Sequence, residues 1–150
     1  MDILDLIKNE HRWIEALFLE IEAANDTAKL YNSFNQLAEE INLHAEIEAQ
    51  IFYPVLRQWG SENKLIDTAQ GEHDEVRQTL EEIETLSPTS EEFQAQIQAL
   101  KQLFQHHIQE EENELFSQVR QHISEAKRRQ MASEFAAAKS KLASDTSVVG

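Results

Sequence analysis

The chain has 150 residues, 28 acidic against 13 basic side chains for a formal net charge of −15, and no cysteine. That length is a prior of one domain with one core, and the charge argues against DNA, RNA or an anionic membrane as partner, because phosphate binding needs clustered Lys and Arg. Without cysteine, a disulfide scaffold, a thiolate zinc site, a cysteine-ligated iron–sulfur cluster and a cysteine nucleophile are excluded. No apolar run approaches the roughly 18 residues of a membrane span. The opening Met-Asp-Ile-Leu-Asp-Leu-Ile-Lys lacks the basic n-region of a signal peptide, so the expected location is cytoplasmic.

Glu, Gln, Ala, Leu and Ile dominate, and only three Gly and two Pro interrupt them; these are helix formers, so the expected class is all-α. The first helix is predicted over 2–24, with Ile3, Leu6, Ile7, Trp13, Ile14, Leu17, Phe18 and Ile21 on one face. Asn25-Asp26-Thr27 breaks it, with Asp26 or Thr27 capping the next. The second helix, 28–58, carries Leu30, Phe34, Leu37, Ile41, Ile47, Ile51, Phe52 and Val55. Pro54 should kink it or shorten its last turn. Gly60 reads as its C′ residue and Ser61 as the following N-cap. The third helix spans 62–86 and stops at Ser87-Pro88-Thr89-Ser90, where Thr89 and Glu92 have capping-box spacing. The fourth, 90–121, buries Phe93, Ile97, Leu100, Leu103, Phe104, Ile108, Leu115, Phe116 and Val119. Ser124 caps a shorter Ala- and Lys-rich fifth helix, 124–142, expected to lie over one end. Residues 143–150 read as a disordered tail. Long helices with short loops predict an up-down-up-down four-helix bundle with a short additional C-terminal helix, in one domain over 1–142.

The two halves repeat. Glu10-His11-x-x-Ile14-x-x-x-Phe18-x-x-Ile21-Glu22 aligns with Glu72-His73-x-x-Val76-x-x-x-Leu80-x-x-Ile83-Glu84. His44-x-x-x-Glu48-x-x-x-Phe52-Tyr53 aligns with His107-x-x-x-Glu111-x-x-x-Leu115-Phe116. Counting from the loops at about 1.5 Å per residue, His11, His44, His73 and His107 fall within about 6 Å of one level. Glu48 and Glu111 lie one turn on, and an i, i+4 pair shares a helix face. A lone histidine on an apolar stripe is ordinarily a satisfied core residue. Four at one depth, with two glutamates whose unpartnered burial would cost several kcal/mol each, point to a cation site. His106, about 100° from His107, and His122 break the repeat and read as surface residues.

Four imidazoles and two carboxylates are too many ligands for one tetrahedral zinc and too nitrogen-rich for calcium or magnesium. They suit a pair of first-row metals, and imidazole with carboxylate suits iron. The His-x-x-x-Glu spacing departs from the Glu-x-x-His of ferritin-like bundles. No His-Glu-x-x-His, Gly-rich phosphate loop or Gly-x-Ser-x-Gly is present.

His11, His44-x-x-x-Glu48, His73 and His107-x-x-x-Glu111 resemble the H–HxxxE–H–HxxxE signature of hemerythrin-like (HHE) cation-binding domains. The flanking Glu-His pairs, Phe52-Tyr53-Pro54 and Glu111-Glu112-x-x-Leu115-Phe116 agree. The resemblance implies two non-haem irons, Fe2+/Fe3+, with His11, His44, His73 and His107 as terminal ligands. Glu48 and Glu111 would bridge them beside an oxo or hydroxo group. Oxygen-carrying hemerythrins have a further His one turn after the third-helix His; here that position is Arg77, and its helix-one counterpart is Glu15. Each iron then keeps an exchangeable position, unless Glu10, Glu15, Asp74 or a water fills it.

Three functions are compatible with that resemblance. The first is binding of O2, NO or peroxide for sensing, buffering or transport, in a pocket lined by Ile14, Phe18, Val76, Leu80 and Phe104. The second is an enzyme removing peroxide or NO, for which no Tyr, Lys or extra His is evidently placed as proton donor. The third is an iron-responsive regulatory or storage protein. The redox partner and the oligomeric state stay open; Trp13 and Trp59 would mark a partner face only if exposed.

Overall fold

The computed structural model describes residues 1–59 and 63–149, and all elements among them are helical. In chain order they are α1 (Ile3–Ala23), α2 (Thr27–Ile47), the π-turn π1 (Glu48–Phe52), α3 (Tyr53–Trp59), α4 (Asn63–Glu84), α5 (Glu91–Glu110), the π-turn π2 (Glu111–Leu115), α6 (Phe116–His122) and α7 (Glu125–Val149). α2–π1–α3 form one rod and α5–π2–α6 another, so with α1 and α4 there are four rods, the expected bundle. Among the described residues no helix is long and apolar enough to cross a membrane.

Side-chain caps fix the starts. Asp2 accepts from the Leu4 and Asp5 amides while Asp5 accepts from the Asp2 amide, a complete capping box. Asp26, rather than Thr27, caps α2 through the Lys29 amide at 2.8 Å. Ser90, not Thr89, caps α5 by accepting from the Phe93 amide at 3.1 Å. Thr89 instead meets the Ser87 hydroxyl, which removes the expected capping box with Glu92. Ser124 accepts from the Lys127 amide at 3.2 Å and starts α7 as predicted. The predicted roles of Gly60 and Ser61, the start of the third helix at 62 and the Trp59 side chain lie outside the described residues.

The two π-turns are not anticipated by any sequence period. In each, a backbone N–H reaches back five residues, Tyr53 to Glu48 and Phe116 to Glu111, inserting one extra residue per turn. Pro54 follows π1 as the second residue of α3, which runs on to Trp59. Ser117 occupies the matching place after π2, so proline is not what makes the turn. The extra residue rotates the downstream face: Phe52, Tyr53 and Leu56 are buried, whereas Ile51 and Val55 are only half-buried.

The apolar side chains form two clusters. One, at the end of the α1–α2 and α4–α5 loops, contains Ile14, Phe18, Phe34, Val76, Leu80, Phe93 and Phe104. The other contains Ile3, Ile7, Phe52, Tyr53, Ile66 and Phe116, together with Met131, Ala132 and Phe135 of α7. Between them lies a layer of buried polar residues. Trp13 is 42% exposed, at the edge of the α1 stripe rather than in it.

The C-terminal helix is 25 residues, not short. It packs along α1, α2 and π1 instead of only covering an end, held at its start by Arg128, which donates to Asp2 at 2.9 Å and to the Ile123 carbonyl at 2.7 Å. It also continues through 143–149, assigned above to a tail; that stretch contains neither Gly nor Pro to stop it. Gly150 lies outside the described residues.

Candidate metal centre

The buried layer consists of His11, His44, Glu48, His73, His107 and Glu111, with Glu10 beside them. One ligand atom from each of His11, His44, Glu48, His107 and Glu111 lies within 4.8 Å of all the others. His73 adjoins this group through its Nε2, 3.0 Å from that of His107. All six residues singled out from the sequence are therefore brought together.

They divide into two half-sites. The imidazoles of His11 and His44 lie 4.9 Å apart by ring centroid, and those of His73 and His107 4.5 Å apart; the distances across the pairs are longer. Each carboxylate spans both pairs. Glu48 turns Oε1 to His44 at 2.5 Å and Oε2 to His73 at 3.9 Å. Glu111 turns Oε1 to His11 at 3.3 Å and Oε2 to His107 at 3.2 Å. The π-turns start at these two glutamates, so the extra residue in each rod falls at the layer itself, as π-bulges often do at functional sites.

Behind the inner set, carboxylates hold the outward Nδ1 atoms. Glu10 meets His44 Nδ1 at 2.7 Å, Glu72 meets His107 Nδ1 at 3.2 Å and Glu112 meets His11 Nδ1 at 2.7 Å. Such contacts fix the tautomer that turns Nε2 inward. Glu10 and Glu72 are repeat equivalents, each serving the histidine of the next rod. The repeat breaks at Glu112, whose counterpart is Ala49, so His73 has no such carboxylate in the repeat pattern. Glu112 is itself held by Arg12.

Sequence reasoning passed over these roles. In the sequence Glu10 reads as a motif flank and a spare ligand, and Glu72 and Glu112 as motif flanks; the repeated Glu-His dipeptide is the available signal. Of the residues considered for an additional ligand position, none joins the inner set. Glu10 serves His44, Glu15 pairs with Arg12 at 2.7 Å, and Asp74 is exposed. Arg77 lies 3.8 Å from Glu46 near the surface. His106, 63% exposed, and His122 are surface residues as predicted.

Tyr53 was also missed. Its hydroxyl, fully buried, donates to Glu111 Oε2 at 3.1 Å. Burial and the charges of Glu111 and Glu48 push its pKa well above the usual tyrosine value, so the O–H persists as a donor. The sequence shows no Tyr, Lys or extra His evidently placed as proton donor; the structure places the Tyr53 hydroxyl at the centre, projecting from the turn after π1, where a helix of regular pitch would have turned it away.

The electrostatics are those of a site built around positive charge. Burial, and then the facing Glu111, raise the Glu48 carboxyl. Burial also opposes ionisation of Glu111, but His107 and His11 outweigh it and hold that carboxyl well below its ordinary value. Burial disfavours charge on His107, yet Glu111 and Glu72 raise it to about 10. His44 is raised well above its ordinary value despite burial, by Glu48 and Glu10. Burial and the neighbouring imidazoles instead press His73 well below.

The residues fit a metal. His11 Nε2, His44 Nε2, both oxygens of Glu48 and Glu111 Oε1 are buried without a hydrogen-bond partner; the close His44–Glu48 approach lacks hydrogen-bond alignment. Ligands at right angles on bonds of about 2.1 Å sit about 3.0 Å apart. The spacings of 3.0, 3.2 and 3.3 Å around His107 and Glu111 lie near that, whereas those of Glu48, 2.5 Å to His44 and 3.9 Å to His73, lie on either side of it.

The hemerythrin HHE cation-binding domain model matches residues 2–119. The chain belongs to this family. A crystal structure of a hemerythrin HHE cation-binding domain-containing protein from Mycobacterium kansasii, a homologue of Rv2633c, has the same fold, with a TM-score of 0.84. The likeness covers 94% of this chain and 86% of that one at 23% identity. A Nostoc sp. protein described as a DNA nickase is 34% identical over 95% of the chain, and an uncharacterized hemerythrin-like protein of Schizosaccharomyces pombe is 28% identical over 89%. This HHE chain spans 40% of the Nostoc protein and 66% of the yeast protein. α7 lies beyond the residues that the family model matches.

Proposed function

We propose that this HHE domain holds two iron ions and binds O2 or a related small ligand, NO or peroxide, for sensing, buffering or transport. The observation that carries this reading is the placement of Glu48 and Glu111, each of which offers one oxygen to the His11–His44 pair and the other to the His73–His107 pair. His11 and His44 would hold one ion and His73 and His107 the other, with both glutamates shared. When bound, an iron pair supplies reversible electron donation to small oxygen or nitrogen ligands.

The remaining work falls to this chain's own side chains. Glu10, Glu72 and Glu112 hold three imidazoles in orientation through Nδ1. Ile14, Phe18, Val76, Leu80 and Phe104 are all buried in the cluster next to the layer and keep water out. The Phe104 ring sits 6.0, 6.3 and 6.1 Å from those of His11, His44 and His107. Arg77 and Glu15 face Glu46 and Arg12 rather than the layer. Each half-site therefore offers four protein donors, leaving room for an exogenous ligand on both.

Tyr53 favours a second reading, an enzyme that removes peroxide or NO, because its O–H stands within the layer as a hydrogen-bond donor beside the inner ligands. The activity named for the Nostoc relative is not carried over: a net charge of −15 opposes a phosphate backbone.

The test is an anaerobic spectrum of ferrous-loaded protein with stepwise addition of O2, NO and peroxide. A spectrum that changes with O2 or NO and reverses under argon supports binding. Sustained gas evolution from peroxide, or consumption of NO, supports the enzyme. No response to any of the three overturns both.

A further inference from the structure

Glu10 and Glu72 are repeat equivalents, yet they are backed by different groups. Glu72 gives Oε1 to His107 and turns Oε2 to His106 at 3.4 Å, on a surface it shares with Glu110. Glu10 gives Oε1 to His44 and turns Oε2 to the Lys139 ammonium of α7, at 2.7 Å. Glu10 is only 7% exposed and Lys139 35%. A carboxylate that deep needs a partner for each oxygen, and Glu10 has His44 Nδ1 on one and the Lys139 ammonium on the other, each at 2.7 Å.

The chain Lys139–Glu10–His44 thus runs from a helix outside the four rods to an inner imidazole. Among the described residues the other half-site has no such chain through a lysine. α7 is seated for this by Met131, Ala132 and Phe135 in the second apolar cluster and by Arg128 on Asp2, which brings Lys139 to the level of Glu10.

We propose that Lys139 is a positioning residue for one of the two metal sites, and that α7 is in this way a working part of the centre. Resting on the di-iron reading, this assigns Lys139 the task of holding the Glu10 carboxylate aimed at His44 Nδ1, so that His44 Nε2 faces inward. Partners behind a metal ligand typically carry about 10- to 100-fold in metal affinity. Lys139 acts one step further out, so the loss expected on its removal is about tenfold, confined to one of two bound ions.

The test is anaerobic ferrous titration of the full chain against a competing chelator, for wild type, Lys139→Met, Lys139→Arg, Glu10→Gln and the double variant K139M/E10Q. Lys141→Met removes the same charge from an exposed position on the same helix and serves as control. The proposal expects K139M to weaken one of two ferrous equivalents about tenfold, with K139R largely restoring it and K141M leaving both unchanged. It expects K139M/E10Q to be no weaker than E10Q, because Lys139 acts through Glu10. Metal-free melting of each variant separates this from mere loss of helix docking, which would lower melting without sparing one ion. Two wild-type equivalents that K139M leaves unchanged, weakens together, or weakens additively with E10Q overturn the inference alone. A wild type that takes up no ferrous ion overturns the di-iron reading with it.

Discussion

Replacing Tyr53 with Phe removes one hydroxyl from the centre and almost nothing else. The ring keeps its packing, 5.7 Å by centroid from both Phe52 and His73, so no large cavity opens. What is lost is a fully buried hydrogen bond to an ionised acceptor, Glu111 Oε2 at 3.1 Å. Hydrogen bonds to charged groups contribute about 1.5–3 kcal/mol. His107 Nε2 remains 3.2 Å from the same oxygen, so Glu111 is not stripped of donors and the lower end, about 1.5 kcal/mol, applies. For a chain of this length about 2–4 °C of melting temperature accompanies each kcal/mol. Tyr53→Phe should therefore melt roughly 3–6 °C below wild type in the metal-free state, followed by circular dichroism at neutral pH. Because Tyr53 is not one of the six inner donors, the variant should still take up two metal ions. A melting temperature within roughly 1 °C of wild type, or loss of a metal ion, would refute the assignment of this hydroxyl as a neutral donor to Glu111.

Further outcomes follow from the same geometry. His107→Ala should lose at least one iron by metal analysis while His106→Ala keeps both; the reverse would place the wrong face of α5 inward. Phe104→Ala, which truncates a buried ring beside three of the imidazoles, should cost about 3–5 kcal/mol and lower the urea midpoint by roughly 1–3 M. His107 is raised from 6.5 to about 10 in the metal-free fold, so its contribution to stability is complete below pH 6.5 and is lost as pH rises through about 10. Raised in the same direction, His44 adds to that loss. Melting across pH 6–10 should show the decline in metal-free protein, and the loaded protein should lack the part due to these rings, since a cation takes the place of the Nε2 proton.

The four rods and the six inner side chains were legible because both are periodic. Apolar residues at helical spacing mark the buried faces, and the repeat places His11 against His73 and His44 against His107 at one depth. What escaped is what period cannot carry. The π-turns add one residue each without a Gly or Pro within them, and so shift the face from Ile51 and Val55 to Tyr53 and Leu56. Tyr53 was illegible for that reason. Glu10 and Glu72 precede their histidines by one residue, which points them toward a neighbouring rod; their partners are imidazoles 34 and 35 residues away. The reach of α7 was hidden by composition: its apolar face is narrow, and Lys139 in an Ala- and Lys-rich stretch reads as a solvated charge until its contact with Glu10 is seen.

The central claim is that the layer between the two apolar clusters is a place for a pair of cations. The most direct measurement is metal content after anaerobic ferrous reconstitution and removal of loosely held ion, for wild type beside Glu48→Ala and Glu111→Ala. Two irons per wild-type chain, with both variants unable to retain the pair, is the result the account predicts. Wild-type protein that retains none, or variants that retain both as firmly as wild type, would contradict it.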